Sequence, residues 1–145
     1  MIMLIIRRAM VNGDGTPGAF VDIENTGESE VGLVHWKFWT MDSDAFGRRW
    51  WQGGETDVLA RGATLRLSNG GAGTELSLTD GCDVKILQGL DLNLAGGVTL
   101  ILWGREDRQW PPFVASVPGD VRKGTVLHWD LNDTMVDPGQ QRSHP

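Results

Sequence analysis

Apolar and polar residues alternate with a period of two in several short stretches of this chain. Phe20-Val21-Asp22-Ile23-Glu24 alternates apolar and acidic residues, and Ala63-Thr64-Leu65-Arg66-Leu67 alternates in the same way. Successive side chains of a β-strand point to opposite faces, so this period predicts strands with one face in the core and one in water. Turn residues such as Gly, Asn and Asp separate the stretches about every 8–12 residues, which is typical of a β-sandwich or barrel. The pattern predicts an all-β fold.

The stretch from Val31 to Thr40 is predicted to be one strand with two unlike faces. Alternate positions share one face, namely Val34, Trp36 and Phe38, and the opposite face carries His35, Lys37 and Trp39. A Trp near the centre of a sandwich buries about 150–250 Å². We therefore expect Trp36 in the core and Trp103 in a second core position. The other predicted core residues are Phe20 or Val21, Ile23, Leu65, Leu67, Leu100 and Leu102.

Three blocks of sequence, taken together, resemble the lamin tail domain family. The first block runs from Gly18 to Gly27, through the strand Phe20-Val21-Asp22-Ile23-Glu24 and the turn Asn25-Thr26-Gly27, and continues to Trp36. The second runs from Leu59 to Leu67, where Arg61 replaces the usual proline, and the third runs from Leu94 to Val117. The resemblance implies an immunoglobulin-like β-sandwich of the lamin tail domain type, without catalytic residues, that serves as an interaction or anchoring module.

The resemblance also predicts how the chain is organised. Residues 1–118 are expected to form the lamin-tail-like β-sandwich. Residues 119–145 are expected to be a C-terminal extension with one possible strand, from Thr125 to Leu131, and a polar tail. A chain of 145 residues fits a single domain.

Charge and composition narrow the classes of partner. The formal net charge is −6, and nucleic-acid binders draw most of their affinity from basic residues that neutralise phosphates. Nucleic acid is therefore not the expected partner. No stretch approaches the length of apolar sequence that spans a membrane, and the N-terminus lacks the order of charge and apolar residues of a secretory signal. We expect a cytoplasmic protein, with export that uses no cleaved signal as the alternative.

Residues that carry chemistry do not form a recognisable motif. The three histidines, His35, His128 and His144, have no metal-ligand spacing with one another or with Cys82, the single cysteine. Neither a phosphate-binding motif nor a nucleophile elbow is present. We therefore expect no catalytic residues, no metal site and no cofactor.

The composition is unusual in its tryptophan content, with seven Trp and no Tyr. Several Trp residues lie in polar surroundings, where they either pack under loops or form an aromatic surface. Trp and Arg are enriched at interface hot spots. The predicted binding residues are Trp39, Arg48, Arg49, Trp50, Trp51 and Trp110. The sequence thus predicts a non-catalytic module that binds a protein partner or forms a homo-oligomer. The alternative is a carbohydrate-binding module that uses Trp50, Trp51 or Trp110.

Overall fold

The computed structural model describes residues 4–11, 18–70, 83–92, 96–104 and 112–129. The regular structure of these residues is entirely β, as the alternating sequence predicts, and no helix occurs among them. The strands are β1 (Leu4–Met10), β2 (Phe20–Asn25), β3 (Val31–Gly32), β4 (Lys37–Asp42), β5 (Gly47–Gln52), β6 (Val58–Leu59), β7 (Thr64–Ser68), β8 (Asp83–Ile86), β9 (Val98–Trp103), β10 (Phe113–Val117) and β11 (Val126–His128).

The strands form two main sheets that pack face to face. The five-stranded sheet has the order β11-β1-β2-β7-β8, and the four-stranded sheet has the order β10-β9-β4-β5. All neighbouring strands are antiparallel except β7 and β8, which are parallel. The short strands β3 and β6 pair separately. This arrangement confirms an all-β sandwich.

The core lies between the two sheets and contains most of the residues predicted for it. Phe38, Leu100 and Leu102 of the four-stranded sheet are fully buried. They belong to one apolar cluster with residues from the other sheet, among them Ile6, Val21, Ile23, Leu65 and Leu67. The burial of both sets on facing surfaces is what holds the sandwich together.

Trp36 is in this core, 3% exposed, as the sequence predicts. It does not lie within a strand, because the stretch from Val31 to Thr40 divides into β3 and β4 with a turn between them. The Trp36 N–H donates to the Leu33 carbonyl across that turn, at 2.9 Å. A Cβ placed on Gly104 would come within 2.7 Å of Cε2 of Trp36. The indole therefore packs directly against the backbone of Gly104, and the turn leaves Val34 only half-buried.

The outward face of β2 is buried, which corrects the prediction that Asp22 faces water. Asp22 is 1% exposed and accepts two hydrogen bonds from Arg66, at 2.6 Å from Nε and 2.7 Å from Nη2. Arg8 adds an ion pair to the same carboxylate at 2.9 Å. The Arg66 guanidinium lies 3.6 Å from the ring centroid of Phe20. An ion pair can be buried in this way because its charges and hydrogen bonds are mutually satisfied.

Phe20 belongs to this outward cluster and lies outside the apolar core between the sheets. Its neighbour Val21 takes the core position instead. Phe20 and Ile23 are three positions apart, so a strand of period two places them on opposite faces.

The possible strand of the C-terminal extension is β11, which pairs with β1 through Arg8↔His128 and Met10↔Val126. The five-stranded sheet therefore contains residues from both predicted segments of the chain. The predicted polar tail, from Asn132 onwards, lies outside the described residues.

We predict that Asp22→Ala lowers the free energy of unfolding by about 3–5 kcal/mol, because it leaves the fully buried Arg66 guanidinium without its counter-charge. Glu24→Ala is the matched control. Glu24 is on the same strand and pairs with Arg7, but the two side chains are 27% and 33% exposed, so its loss should cost about 1 kcal/mol or less. Urea denaturation measures both, and equal effects would contradict the assignment.

Candidate binding face

The outward face of the four-stranded sheet carries a continuous set of side chains in three rows. Strand alternation places Phe38, Leu100 and Leu102 inward, so their neighbours along β4 and β9 point away from the core. The central row across the sheet is Arg49–Trp39–Ile101–Val114. We call this surface the open face, and it comprises Lys37, Trp39, Met41, Gly47, Arg49, Gln52, Thr99, Ile101, Trp103, Val114 and Ser116.

Trp39 lies in the central row of the open face, as predicted for the side opposite the core. It is half-buried, and its ring lies against Gly47, where an added Cβ would be 3.6 Å from Cε3 of Trp39. Met41 and Val114 on the same face are 37% and 41% exposed. The open face is therefore an apolar and aromatic surface that the described residues leave partly uncovered.

Trp103 is on the open face and is half-buried, which corrects its predicted core position. Its strand places Leu100 and Leu102 in the core, and the period of two then turns Ile101 and Trp103 outward. The Lys37 ammonium lies 5.9 Å from the Trp103 ring centroid, within the range of a cation–π interaction. The indole Nε1 atoms of Trp39 and Trp103 are both buried and find no acceptor among the described residues.

Arg49 is the exposed cation of the central row and is paired in register with Trp39. Its Nη1 donates to the side-chain oxygen of Gln52 at 3.1 Å. Gln52 in turn donates to the carbonyl of Val34 at 3.3 Å. The Arg49 guanidinium is therefore positioned by a neutral amide, and no carboxylate of the described residues pairs with it.

A β-bulge in β5 places Arg49, Trp50 and Trp51 in different surroundings. The register with β4 shifts between Phe38 and Trp39, so Trp50 is the extra residue on β5. Trp51 pairs with Phe38, is 8% exposed and belongs to the core, which corrects its predicted surface role. Trp50 packs against the core, and its Nε1 donates to Oγ1 of Thr40 at 2.8 Å.

Arg48 does not lie on the open face. Its guanidinium lies 3.7 Å from the ring centroid of Trp50 and covers that ring. Of the six predicted binding residues, the structure thus brings Trp39 and Arg49 together on the open face and places Arg48, Trp50 and Trp51 elsewhere. Trp110 lies outside the described residues.

Nine residues of the open face are absent from the predicted binding residues, and five of the nine are apolar, aromatic or cationic: Lys37, Met41, Ile101, Trp103 and Val114. The signal for two of them was present in the sequence. Once Leu100 and Leu102 are assigned to the core, alternation alone turns Ile101 and Trp103 outward. The position of β10 beside β9, which adds Val114, is set by the tertiary pairing.

A shallow cavity of about 220 Å³ lies at one end of the open face. Its lining includes Met41, Asp42, Ser43, Thr99 and Ser116. The Asp42 carboxylate is already used in the β4–β5 turn, where Oδ1 accepts the N–H groups of Asp44 and Phe46, each at 2.9 Å. Among the described residues, no His, Cys or Lys side chain lines the cavity beside the remaining hydroxyl groups.

Within the described ranges of the chain, no group of three or more His, Cys, Asp or Glu side chains could hold a metal ion. In the same ranges, no helix has the length and apolar character needed to cross a membrane.

We predict that Thr40→Val lowers the free energy of unfolding by about 1–3 kcal/mol, because the Trp50 indole N–H loses its acceptor beside the buried Thr40. Thr99→Val is the matched control, since Thr99 is in the adjacent strand on the open face and should tolerate the change. Thermal melts compare the two variants. Indistinguishable melting temperatures would show that the Trp50–Thr40 bond does not hold β5 in place.

Comparisons with family models and with curated proteins identify no relative of this chain. No family model matches the chain. No curated protein matches it either. The residues of the open face and their surroundings therefore carry the functional assignment.

Proposed function

We propose that this protein is a non-catalytic module that binds a protein partner through the open face. The proposal rests on the difference in exposure between the outward faces of the two sheets. The four-stranded sheet presents Trp39, Ile101 and Val114 side by side on its outward face, and Val114 is 41% exposed. Such an apolar surface with a charged edge is typical of a site where another molecule docks.

The five-stranded sheet provides the contrast. Its inward face contributes Val21 and Leu67 to the core, and its outward face buries Phe20, Asp22 and Arg66 to between 0 and 1% exposure. Buried groups on both faces leave little of the central part of this sheet for a partner. The open face is therefore the better candidate of the two outer surfaces.

The residue types of the open face also favour a protein partner. Trp and Arg dominate the binding energy of protein interfaces, and they act best when they are already held in place. Trp39 is held against Gly47 and Arg49 is held by Gln52. Since these side chains are ordered before binding, little conformational entropy is lost when a partner docks.

We propose further that the sandwich is immunoglobulin-like and of the lamin tail domain type. The blocks that carry this resemblance meet in space. The Asn25 side chain accepts the Gly27 N–H at 2.9 Å and donates to the Leu59 carbonyl at 2.9 Å, which joins the turn of the first block to the start of the second. Strand β2 of the first block pairs with β7 of the second. An interaction module is the role that the resemblance implies.

Carbohydrate binding through Trp50 or Trp51 is the less favoured alternative. A sugar ring stacks on an open aromatic face, whereas Trp51 is buried and the ring of Trp50 is covered by Arg48. A glycan array tests this alternative directly. A specific sugar hit that is lost on Trp39→Ala would replace the proposal of a protein partner.

We predict that Val114→Asn weakens partner binding at least about tenfold, because a neutral polar side chain replaces an exposed apolar contact at the β10 end of the central row. Ile86→Asn is the matched control, since Ile86 is an apolar strand residue of the other sheet that is 54% exposed. Affinity capture from the native lysate, with light scattering for self-association, compares both variants with the original chain. Binding or oligomerisation that is unchanged in Val114→Asn, or a monomer that captures nothing, would contradict the proposal.

A further inference from the structure

We infer that the partner presents an acidic segment with apolar side chains to the open face. This inference rests on the proposed function and names the chemistry of the partner. It follows from the charges of the open face, which are opposite in sign to the net charge of the chain and which, unlike Arg7, Arg8 and Arg66 of the five-stranded sheet, form no ion pair with a described carboxylate.

The first observation is that the open face is cationic on an acidic protein. The chain has 19 acidic and 13 basic residues. The outward positions of β4, β5, β9 and β10 nevertheless carry Lys37 and Arg49 and no Asp or Glu. A local charge of opposite sign to the whole molecule attracts partners that the rest of the surface repels.

The second observation concerns how the cations are used. On the five-stranded sheet, Arg7, Arg8 and Arg66 each form an ion pair with a carboxylate of β2. On the open face, no described carboxylate lies within ion-pair distance of Lys37 or Arg49. The two open-face cations contact neutral groups instead, the Trp103 ring and the Gln52 amide.

The third observation is the placement of these cations relative to the apolar residues. Lys37 and Arg49 both flank Trp39, since Lys37 lies two residues before it on β4 and Arg49 is its partner on β5. Diagonal neighbours on one face of a sheet are about 7–8 Å apart. Carboxylates of a partner can therefore reach both cations while an apolar side chain lies against Trp39, Ile101 and Val114.

A protein segment fits these features better than a nucleic acid. Nucleic-acid sites neutralise many phosphates, and their affinity depends on several cations in a row. The open face offers two cations beside a larger apolar area that includes Met41 and Val114. Carboxylates interspersed with apolar side chains match both parts of the surface, whereas a phosphate backbone matches only the charged part.

The test uses the full chain and fluorescence anisotropy with three labelled probes of equal length. The probes are a peptide of alternating Glu and Leu, its counterpart of alternating Gln and Leu, and single-stranded DNA. We expect the Glu–Leu peptide to bind at least about tenfold more tightly than the Gln–Leu peptide at low salt, and the difference to shrink as salt is added.

The variant Arg49→Glu should weaken binding of the Glu–Leu peptide by at least about tenfold. Arg61→Glu is the matched control, because it makes the same change of charge at an exposed turn before β7, and it should leave the affinity unchanged. Arg49→Gln, which keeps a polar side chain near Gln52, serves as the second variant if charge reversal disturbs folding. It should weaken binding of the Glu–Leu peptide by a smaller factor.

Each of the following results would overturn the inference: no binding of the Glu–Leu peptide, equal loss in Arg49→Glu and Arg61→Glu, tighter binding of DNA, or self-association that Arg49→Glu abolishes. Equal binding of the two peptides that is weakened in Val114→Asn would overturn the acidic partner and leave the docking surface intact. Peptide binding that is unaffected by Val114→Asn would count against the proposed function itself.

Discussion

The packing of β4 and β9 against the five-stranded sheet is the constraint on which the rest of the structure depends. Phe38, Leu100 and Leu102 are buried between the sheets, and each removes apolar surface from water. Because side chains alternate along a strand, the same packing forces Trp39, Ile101 and Trp103 to the other face. The open face is thus a geometric consequence of the core.

The charged groups on the outward faces of the two sheets have different contacts. In the five-stranded sheet, Asp22, Arg66 and Arg8 satisfy one another, and Phe20 stacks on the Arg66 guanidinium. Polar groups can be buried there because their hydrogen bonds are made within the sheet. In the four-stranded sheet, Lys37 and Arg49 contact neutral groups and lie beside apolar side chains. This contrast is the physical basis for our proposal that the four-stranded sheet binds a partner.

Much of the core could be predicted from the sequence, but less of the open face. Alternation predicts the burial of Ile23, Leu65 and Leu100, and the size of Trp36 predicts its central position. Alternation does not show which outward face is covered, so Asp22 was expected in water. The β5 bulge hides the difference between Trp50 and Trp51 from sequence reasoning, because one inserted residue reverses the faces of those that follow it.

The most direct test of the difference in exposure between the two outward faces compares how fast hydrogen peroxide oxidises two methionines. Met41 is 37% exposed on the open face, and Met10 is 6% exposed beside Phe20 on the outward side of the other sheet. Exposure governs the reaction of a thioether with a small oxidant. Mass spectrometry of the folded protein should show Met41 oxidised much faster than Met10, and slower oxidation of Met41 when the Glu–Leu peptide is bound. Equal rates for the two methionines in the folded protein would contradict the account.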